Sequence, residues 1–348
     1  MAGYPFPNTC GLEHLFLAYT GFSIGQDGSH HHQYWEPADL FPVLAWLEPG
    51  TGQGRQVLFT DFLLPASAVI RPDGTVKYLI RDDNHPAEPK DWQLYLEELF
   101  SPGRNLNALF TVSLHNPLSR FIPIDIWIAL PYPHPRVFYS DKGRVAGVRD
   151  WVEEFLRRWD QGNYGQRLNL RGFYWLQESL YYQGSRFNDS EVISRINRHV
   201  HTLHHRGRQL KMLWIPYQQA AGWNRWQDLG FDVSILQPSY LFKPELLLEN
   251  AACDSYENGQ GVEMELDLGV LQDQQKRSRF LEYLDLGLRG GMDQRGRYFG
   301  PYLRESVVGW YLGGWYWSGE TRKHILHSLH TAGDPLYVKL RDLVKCQE

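Results

Sequence analysis

Cysteine is scarce in this chain of 348 residues, which contains only Cys10, Cys253 and Cys346. So few cysteines, placed so far apart, exclude a disulfide framework and a cysteine-rich zinc site, and we expect free thiols. Long apolar runs are also missing, because no run reaches the length of about 18 residues that a membrane-spanning helix requires. We therefore expect no membrane partner.

The N-terminal residues lack the pattern of a secretory signal. The segment MAGYPFPN contains no basic residue and leads into no long apolar stretch. A signal peptide would combine a positively charged start with an apolar core. We expect a cytoplasmic protein, or a secreted one if a leader has been removed.

Basic charge is not in excess, whereas aromatic residues are abundant. The 35 Lys and Arg stand against 40 Asp and Glu, for a formal net charge of -5, so we expect no nucleic-acid partner. The chain has 13 Trp, 20 Tyr and 17 Phe. Aromatic faces stack on the apolar C–H surfaces of sugars while polar edges form hydrogen bonds. Part of this aromatic content belongs to the core, and the rest favours a carbohydrate ligand.

Eight apolar stretches alternate with amphipathic stretches along the chain. The apolar ones predict strands at His14–Phe22, Val57–Leu64, Ile124–Pro131, Leu170–Glu178, Lys211–Tyr217, Phe231–Tyr240, Gly261–Asp267 and Val307–Trp317. The amphipathic ones predict helices at Pro37–Leu47, Lys90–Phe100, Arg144–Trp159, Asn188–His205, Gly222–Leu229, Lys243–Tyr256, Leu271–Leu288, Ser318–Leu329 and Asp334–Cys346. Such alternation predicts an α/β fold with a parallel sheet, and eight units predict a (β/α)8 TIM barrel. We expect a single domain over residues 1–348, with a doubly wound sheet as the alternative fold.

Acidic residues end two of the predicted strands. Glu178 ends the fourth, and Glu263, Glu265 and Asp267 share one face of the seventh, because side chains alternate across a strand. Acids on a buried face are costly unless that face opens onto a site. The carboxyl ends of barrel strands are where such a site lies.

Two carboxyl groups from opposite strands fit the hydrolysis of glycosidic bonds. One must protonate the leaving oxygen and the other must stabilise or capture the developing cation. We expect Glu178 to be the general acid/base, Glu265 the nucleophile, and Glu263 a residue that orients its neighbours or the sugar. Further substrate-binding residues are expected at strand ends, namely Trp175, Tyr217, Gln237, Tyr240 and Trp310, with Tyr132 and Asp61 at the margin. No metal or organic cofactor is expected.

Several motifs resemble a known bacterial family. They are GFYWLQE at 172–178, WIPY at 214–217, GWNRW at 222–226, LGFD at 229–232, LQPSY at 236–240 and GVEMELD at 261–267. In this order, over most of the chain, they resemble the family called domain of unknown function 4855. The resemblance implies a barrel related to the retaining glycoside hydrolases of clan A, with acids at the matching strands. Gln177 departs from that pattern, in which Asn usually precedes the acid, so the resemblance supports a sugar site more than a particular mechanism.

Two other functions remain open from the sequence. One is a barrel that binds carbohydrate without turnover, or that cleaves a sugar-like polymer by elimination. The other is a scaffold in which the acids only brace the barrel. For hydrolysis we expect retention, which requires carboxyl groups about 5–5.5 Å apart, whereas inversion requires about 6.5–9.5 Å.

Overall fold

Eight parallel strands form a closed barrel in the computed structural model, which describes residues 3–24, 30–48, 51–115, 123–183, 187–318 and 321–344. We number the barrel strands β1 (His14–Leu17), β2 (Asp61–Leu64), β3 (Ile124–Leu130), β4 (Leu168–Trp175), β5 (Lys211–Trp214), β6 (Val233–Leu236), β7 (Gly261–Glu265) and β8 (Val308–Tyr311). Each strand pairs with the next along the chain, and β8 pairs with β1. The predicted α/β barrel is therefore confirmed, and the doubly wound alternative is wrong.

The described part of the chain contains eleven α-helices. They are α1 (Pro37–Leu44), α2 (Pro89–Leu99), α3 (Asn105–His115), α4 (Pro135–Phe138), α5 (Asp141–Gln161), α6 (Asp189–Val200), α7 (Leu248–Asn258), α8 (Gln274–Arg289), α9 (Tyr302–Glu305), α10 (Ile325–Thr331) and α11 (Pro335–Val344). Short 3-10 turns cover Tyr164–Gln166, Trp223–Arg225, Pro244–Leu246 and Leu268–Leu271. The predicted helix at Gly222–Leu229 is only such a turn, and α3 was not predicted. Apolar residues are distributed over much of the circumference of α3, so it shows no clear amphipathic pattern.

An additional antiparallel sheet lies after β1 and β2, where the barrel strands end. Its strands, in spatial order, are His30–Gln33, Gly21–Ile24, Ala68–Ile70 and Val76–Tyr78. The predicted first strand, His14–Phe22, is therefore two strands. Gly21 has a φ of 72°, and a Cβ there would lie 2.7 Å from the carbonyl oxygen of Ala68. A glycine is thus needed where the chain leaves the barrel for this sheet.

Two-stranded hairpins complete the described secondary structure. Their strands are Ala45–Leu47 with Gly54–Val57, Tyr182–Gln183 with Phe187–Asn188, His204–His205 with Arg208–Gln209, Gly291–Met292 with Tyr298–Phe299, and Tyr316–Ser318 with Thr321–Lys323. The third hairpin corrects the predicted helix Asn188–His205, which ends at Val200. No helix within the described ranges is long and apolar enough to cross a membrane.

The inner face of the barrel is identified by contacts between strands that are not neighbours. A Cβ on Gly309 of β8 would lie 3.2 Å from the side chain of Ile235 on β6 and 3.5 Å from that of Glu263 on β7. Side chains of β6 and β8 can meet across β7 only on the concave side of a curved sheet. Glu263 therefore lies inside the barrel, and by alternation Glu265 faces the same way, one pleat closer to the carboxyl end.

Candidate active site

Glu178 follows β4 at the carboxyl end of the barrel. Its Oε1 accepts a hydrogen bond of 3.0 Å from Nε2 of Gln237, which follows β6. The residue keeps partial solvent contact. Burial of the carboxyl group raises its pKa, and the hydrogen bond from Gln237 opposes this rise. A carboxyl group in this position can stay protonated at a higher pH than a free glutamic acid.

Glu265 ends β7 and is held by three hydrogen-bond donors. The backbone N–H of Ser239 donates to Oε1 at 2.8 Å, and Leu241 N–H donates to Oε2 at 3.3 Å. The hydroxyl of Tyr283 on α8 donates to Oε2 at 2.5 Å. Burial raises the pKa of Glu265 to about 7 even though these donors favour the ionised form, and the charge of Glu178 adds to the rise. Near neutral pH, Glu265 exchanges between its ionised and protonated forms.

Glu263 lies one pleat deeper and is buried, with 2% of its surface exposed. Its Oε2 has no hydrogen-bond partner among the described residues. Burial raises the pKa of Glu263 well above the usual value, and the charges of Glu265 and Glu178 raise it further. Burial therefore favours the neutral form of Glu263.

Three tyrosines surround the acids. Tyr174 on β4 is buried, and burial together with the charges of Glu178 and Glu263 raises its pKa well above the usual value. Tyr311 ends β8, and burial raises its pKa to about 12, with Glu263 contributing. Its ring lies edge-on to that of Tyr19, with centroids 5.7 Å apart. All three hydroxyls are therefore neutral hydrogen-bonding groups in the barrel mouth.

A cavity of about 310 Å3 opens beside these acids. Its lining includes Tyr19, Tyr311 and Trp315, which follows β8. Gln33, from the additional sheet, lines it as well, and the Nε2 of Gln33 donates to the Oγ of Ser23 at 2.8 Å. The cavity thus joins the acid cluster to the loops that follow β1, β2 and β8.

The structure brings five of the ten predicted site residues to one mouth, namely Glu178, Glu263, Glu265, Gln237 and Tyr217. Tyr217 forms a backbone bridge with Gln237 and continues the face of β5 that includes Leu213, the partner of Tyr174 in register. Tyr240 lies at the rim, where its hydroxyl donates to Glu282 and its ring lies 5.9 Å from that of Tyr283. It is thus a neighbour of the residue that holds Glu265.

Trp175 and Trp310 lie on the outer face of the barrel, which corrects the expectation that they shape a sugar subsite. Trp310 donates from Nε1 to Nδ1 of His14 at 3.0 Å, and its ring lies 5.8 Å from that of Phe59. Trp175 packs against Tyr132, with ring centroids 5.9 Å apart. Their immediate neighbours, Tyr174 and Tyr311, are the residues that face the acids, because successive side chains point to opposite faces.

Tyr132 and Asp61 also lie outside the mouth. The hydroxyl of Tyr132 donates to Asp189 at 3.2 Å and accepts from Arg144, so Tyr132 braces α5 against α6. Asp61 is the first residue of β2, at the amino end of the barrel, and pairs in register with Asp125. Every parallel strand presents its carboxyl end on the same side, so Asp61 is at the wrong end for the margin of the site.

The remaining predicted features are also placed. Asp267 caps the turn Leu268–Leu271 and pairs with Nζ of Lys276 at 2.6 Å, so it supports a loop. The side chain of Gln177 accepts from the backbone N–H of Arg81 at 2.8 Å, which directs its amide toward the β2–α2 segment. Within the described ranges, no group of three or more His, Cys, Asp or Glu could hold a metal ion.

Sequence reasoning missed the tyrosines of the mouth and the cavity residues Gln33 and Trp315. The alternation of side chains along a strand carries the signal for Tyr311, which lies two residues from the inward-facing Gly309, and for Tyr174, which lies four residues before Glu178. Gln33 has no such signal, because a strand outside the barrel brings it to the cavity.

Comparisons with known proteins give a family and little more. No curated protein matches the chain significantly. Two variants of the tryptophan synthase alpha-subunit from Pyrococcus furiosus align over 100% of this chain and 99% of theirs, with 8% and 9% identity and TM-scores of 0.33 and 0.32. Likeness at this level carries no argument about this chain. The family model described as Domain of unknown function (DUF4855) matches residues 17–301, and the chain belongs to that family.

Proposed function

We propose that this barrel hydrolyses glycosidic bonds of an oligo- or polysaccharide. One observation carries the proposal: Glu178 after β4 and Glu265 at the end of β7 share one mouth, and the charge of Glu178 raises the pKa of Glu265. Two carboxyl groups in a common, largely buried environment are the minimum that glycoside hydrolysis requires. The tyrosines around them and the aromatic cavity beside them supply surfaces suited to a sugar.

In this proposal Glu178 donates the proton to the leaving oxygen. Burial favours its neutral form, which is the form that a general acid needs. Its partial exposure leaves room for the glycosidic oxygen and later for a water molecule. Gln237 orients the carboxyl group through the hydrogen bond to Oε1.

Glu265 is the proposed nucleophile. Its carboxylate attacks the anomeric carbon as the protonated glycosidic C–O bond breaks, and water deprotonated by Glu178 then cleaves the glycosyl-enzyme ester, so that two inversions give net retention. The donors Ser239, Leu241 and Tyr283 fix its orientation and favour its ionised form. Burial favours the neutral form of Glu263, which in that form places no further negative charge beside Glu265.

The test replaces Glu178 and Glu265 singly by Gln and measures turnover on a panel of glycans. Each change should reduce kcat/KM by at least about 10²-fold, because a lost acid/base group costs about 10²–10⁴. Glu191→Gln is the matched control, since Glu191 is an exposed acid of α6. For Glu265→Ala, added azide should restore cleavage and give a glycosyl azide of inverted configuration, because azide takes the place of the missing carboxylate. Full activity in both Gln variants would contradict the proposal.

A bracing role for Glu265 is the second candidate, and its three hydrogen bonds favour it. These bonds tie β7 to the segment after β6 and to α8, so Glu265 can stabilise the fold without chemistry. In that case the wild-type protein cleaves no glycan, and Glu265→Gln lowers the melting temperature without changing sugar binding.

A further inference from the structure

The cavity beside the acids is a built site rather than a gap between loops. Its volume of about 310 Å3 lies at the lower end of the range for ligand cavities, about 300–1,000 Å3, which suits a ligand the size of a sugar ring. Gln33 is 2% exposed, and its Oε1 accepts from the backbone N–H of Trp315 at 2.8 Å. A Cβ on Gly314 would lie 2.9 Å from that oxygen, so the glycine lets the amide approach the chain.

The polar groups of the cavity can bond to hydroxyl groups. The Oγ of Ser23 accepts from Nε2 of Gln33, so the hydroxyl proton of Ser23 remains available to an acceptor in the cavity. Ser67 adds a second hydroxyl to the lining, and Tyr19 and Trp315 add ring surface. Sugars need this combination of ring faces for C–H groups and neutral partners for hydroxyls.

None of the described residues that line the cavity carries a charge. Tyr19 and Tyr311 are neutral, since burial raises the pKa of both, and the other lining groups are hydroxyl, amide, aromatic or glycine. Arg322 lies over the ring of Trp315 at 4.1 Å, but its guanidinium is paired with Asp39 and with the carbonyl oxygen of Tyr34. A carboxylate in the cavity would therefore lose water without gaining a cation.

The acid cluster next to the cavity strengthens this selection. Glu265, which is ionised in the proposed mechanism, is close enough to raise the pKa of Tyr311, which is part of the cavity wall. A carboxylate of a ligand at that wall would be repelled by the same charge. From the lining and its neighbours we infer that the cavity is a subsite for an uncharged sugar residue and that it excludes uronic acids. This inference rests on the proposed function, because it assigns the substrate class of the same mouth.

The test uses sugars that differ only at C6. Methyl glucoside, galactoside and mannoside are compared with the corresponding methyl uronides, by NMR titration of the full-length Glu178→Gln variant, which prevents turnover. At least one neutral glycoside should bind at least tenfold more tightly than its uronide. Equal or tighter binding of the uronides, or no binding of any neutral glycoside, overturns the inference.

Two variants connect the binding to this cavity. Trp315→Ala should abolish binding of the neutral glycoside, and Ser67→Lys should reverse the preference toward the uronide, because it places a cation in the wall. Ser101→Lys, the same change after α2 and outside the lining, should leave the preference unchanged. A Ser67→Lys variant that folds and keeps the wild-type preference overturns the inference.

Turnover of the wild-type protein separates the two proposals. If the neutral preference and the effect of Ser67→Lys hold but no glycan is cleaved, the proposed hydrolysis fails and the cavity assignment stands. If glycans are cleaved and uronides bind as well as neutral glycosides, the hydrolysis stands and the inference about the cavity fails.

Discussion

At the scale of single residues, Glu265 balances burial against hydrogen bonding. Burial favours its neutral form, whereas Tyr283 and two backbone donors favour the ionised form. The result is a pKa of about 7, at which a small change in either influence alters the ionised fraction near neutral pH.

Replacing Tyr283 by Phe should raise the pKa of Glu265. The lost hydrogen bond favours the charged form, and a bond to a charged group contributes about 1.5–3 kcal/mol, or about one to two pKa units. Because a nucleophile must be ionised, the acidic limb of kcat/KM should shift upward, with activity falling about tenfold or more below pH 7, whereas the alkaline limb, which reports the proton of Glu178, should stay where it is. The measurement is the pH profile of kcat/KM.

Tyr240→Phe is the matched control for this prediction. Its hydroxyl is bound to Glu282 rather than to Glu265. The pH profile should therefore stay where it is. An equal shift in both variants, or no shift in Tyr283→Phe, would contradict the role of Glu265 as the ionised group.

The alternation of side chains between the two faces of a strand also explains why the sequence analysis chose Trp175 and Trp310. The apolar runs predict where the strands are. They do not predict which face of a strand points into the barrel, because both faces of a parallel barrel strand are buried and aromatic residues occur on either one. On β4 and β8 the prediction chose Trp175 and Trp310, and the inward residues are their neighbours Tyr174 and Tyr311. On β7 the inward face was predictable, because Glu263 and Glu265 both lie on it.

At the scale of elements, a buried ion pair joins α5 to the start of α6. Arg144 and Asp189 are both fully buried and form a charged hydrogen bond. Asp189 also accepts from the backbone N–H of Tyr181 at 2.8 Å, and Tyr132 bonds to both partners. The network therefore fixes the segment after β4, which includes Glu178.

Asp189→Asn should destabilise the protein strongly. Loss of the carboxylate removes the fully buried partner of Arg144 and leaves Asp141, at 3.0 Å from Nη1, as its remaining charged partner. Breaking a buried pair costs up to about 3–5 kcal/mol. Glu191→Gln is the control on the same helix, since its pair with Arg195 is exposed and contributes about 0.3–0.5 kcal/mol. Urea denaturation of both variants gives the comparison. Equal, small effects would show that the Arg144 network does not stabilise the fold.

At the scale of the whole molecule, closure of the barrel depends on close contact between β4 and β5. A Cβ on Gly172 would lie 1.9 Å from the carbonyl oxygen of Lys211, its partner in register. Backbone atoms cannot move aside without separating the two strands. In its pairing with β3, β4 has a register shift between Leu170 and Gly172, next to its close contact with Lys211 of β5. This local irregularity adapts β4 to the close contact.

Gly172→Ala should therefore lower the free energy of unfolding by about 3 kcal/mol or more, at the upper end of overpacking costs. Gly309→Ala is the control in another barrel strand, where the new methyl group meets side-chain atoms at 3.2 Å and beyond, which can adjust. We expect a loss of at most about 1 kcal/mol there. Thermal melting of the two variants tests the difference, and a Gly172→Ala protein as stable as the wild type would contradict it.

The sequence by itself determined the barrel and the strands that bear its acids. Apolar runs that predict strands alternate with amphipathic stretches that predict helices. The number of barrel strands, eight, and the positions of Glu178 and Glu265 at the ends of the fourth and seventh follow from this alternation. Only the tertiary structure decided which residues surround the acids. Contacts such as Gln237 with Glu178, Tyr283 with Glu265, and Gln33 with Trp315 join segments between 18 and 282 residues apart. No local pattern encodes such contacts, because they arise from closure of the barrel and from the loops that fold over its mouth.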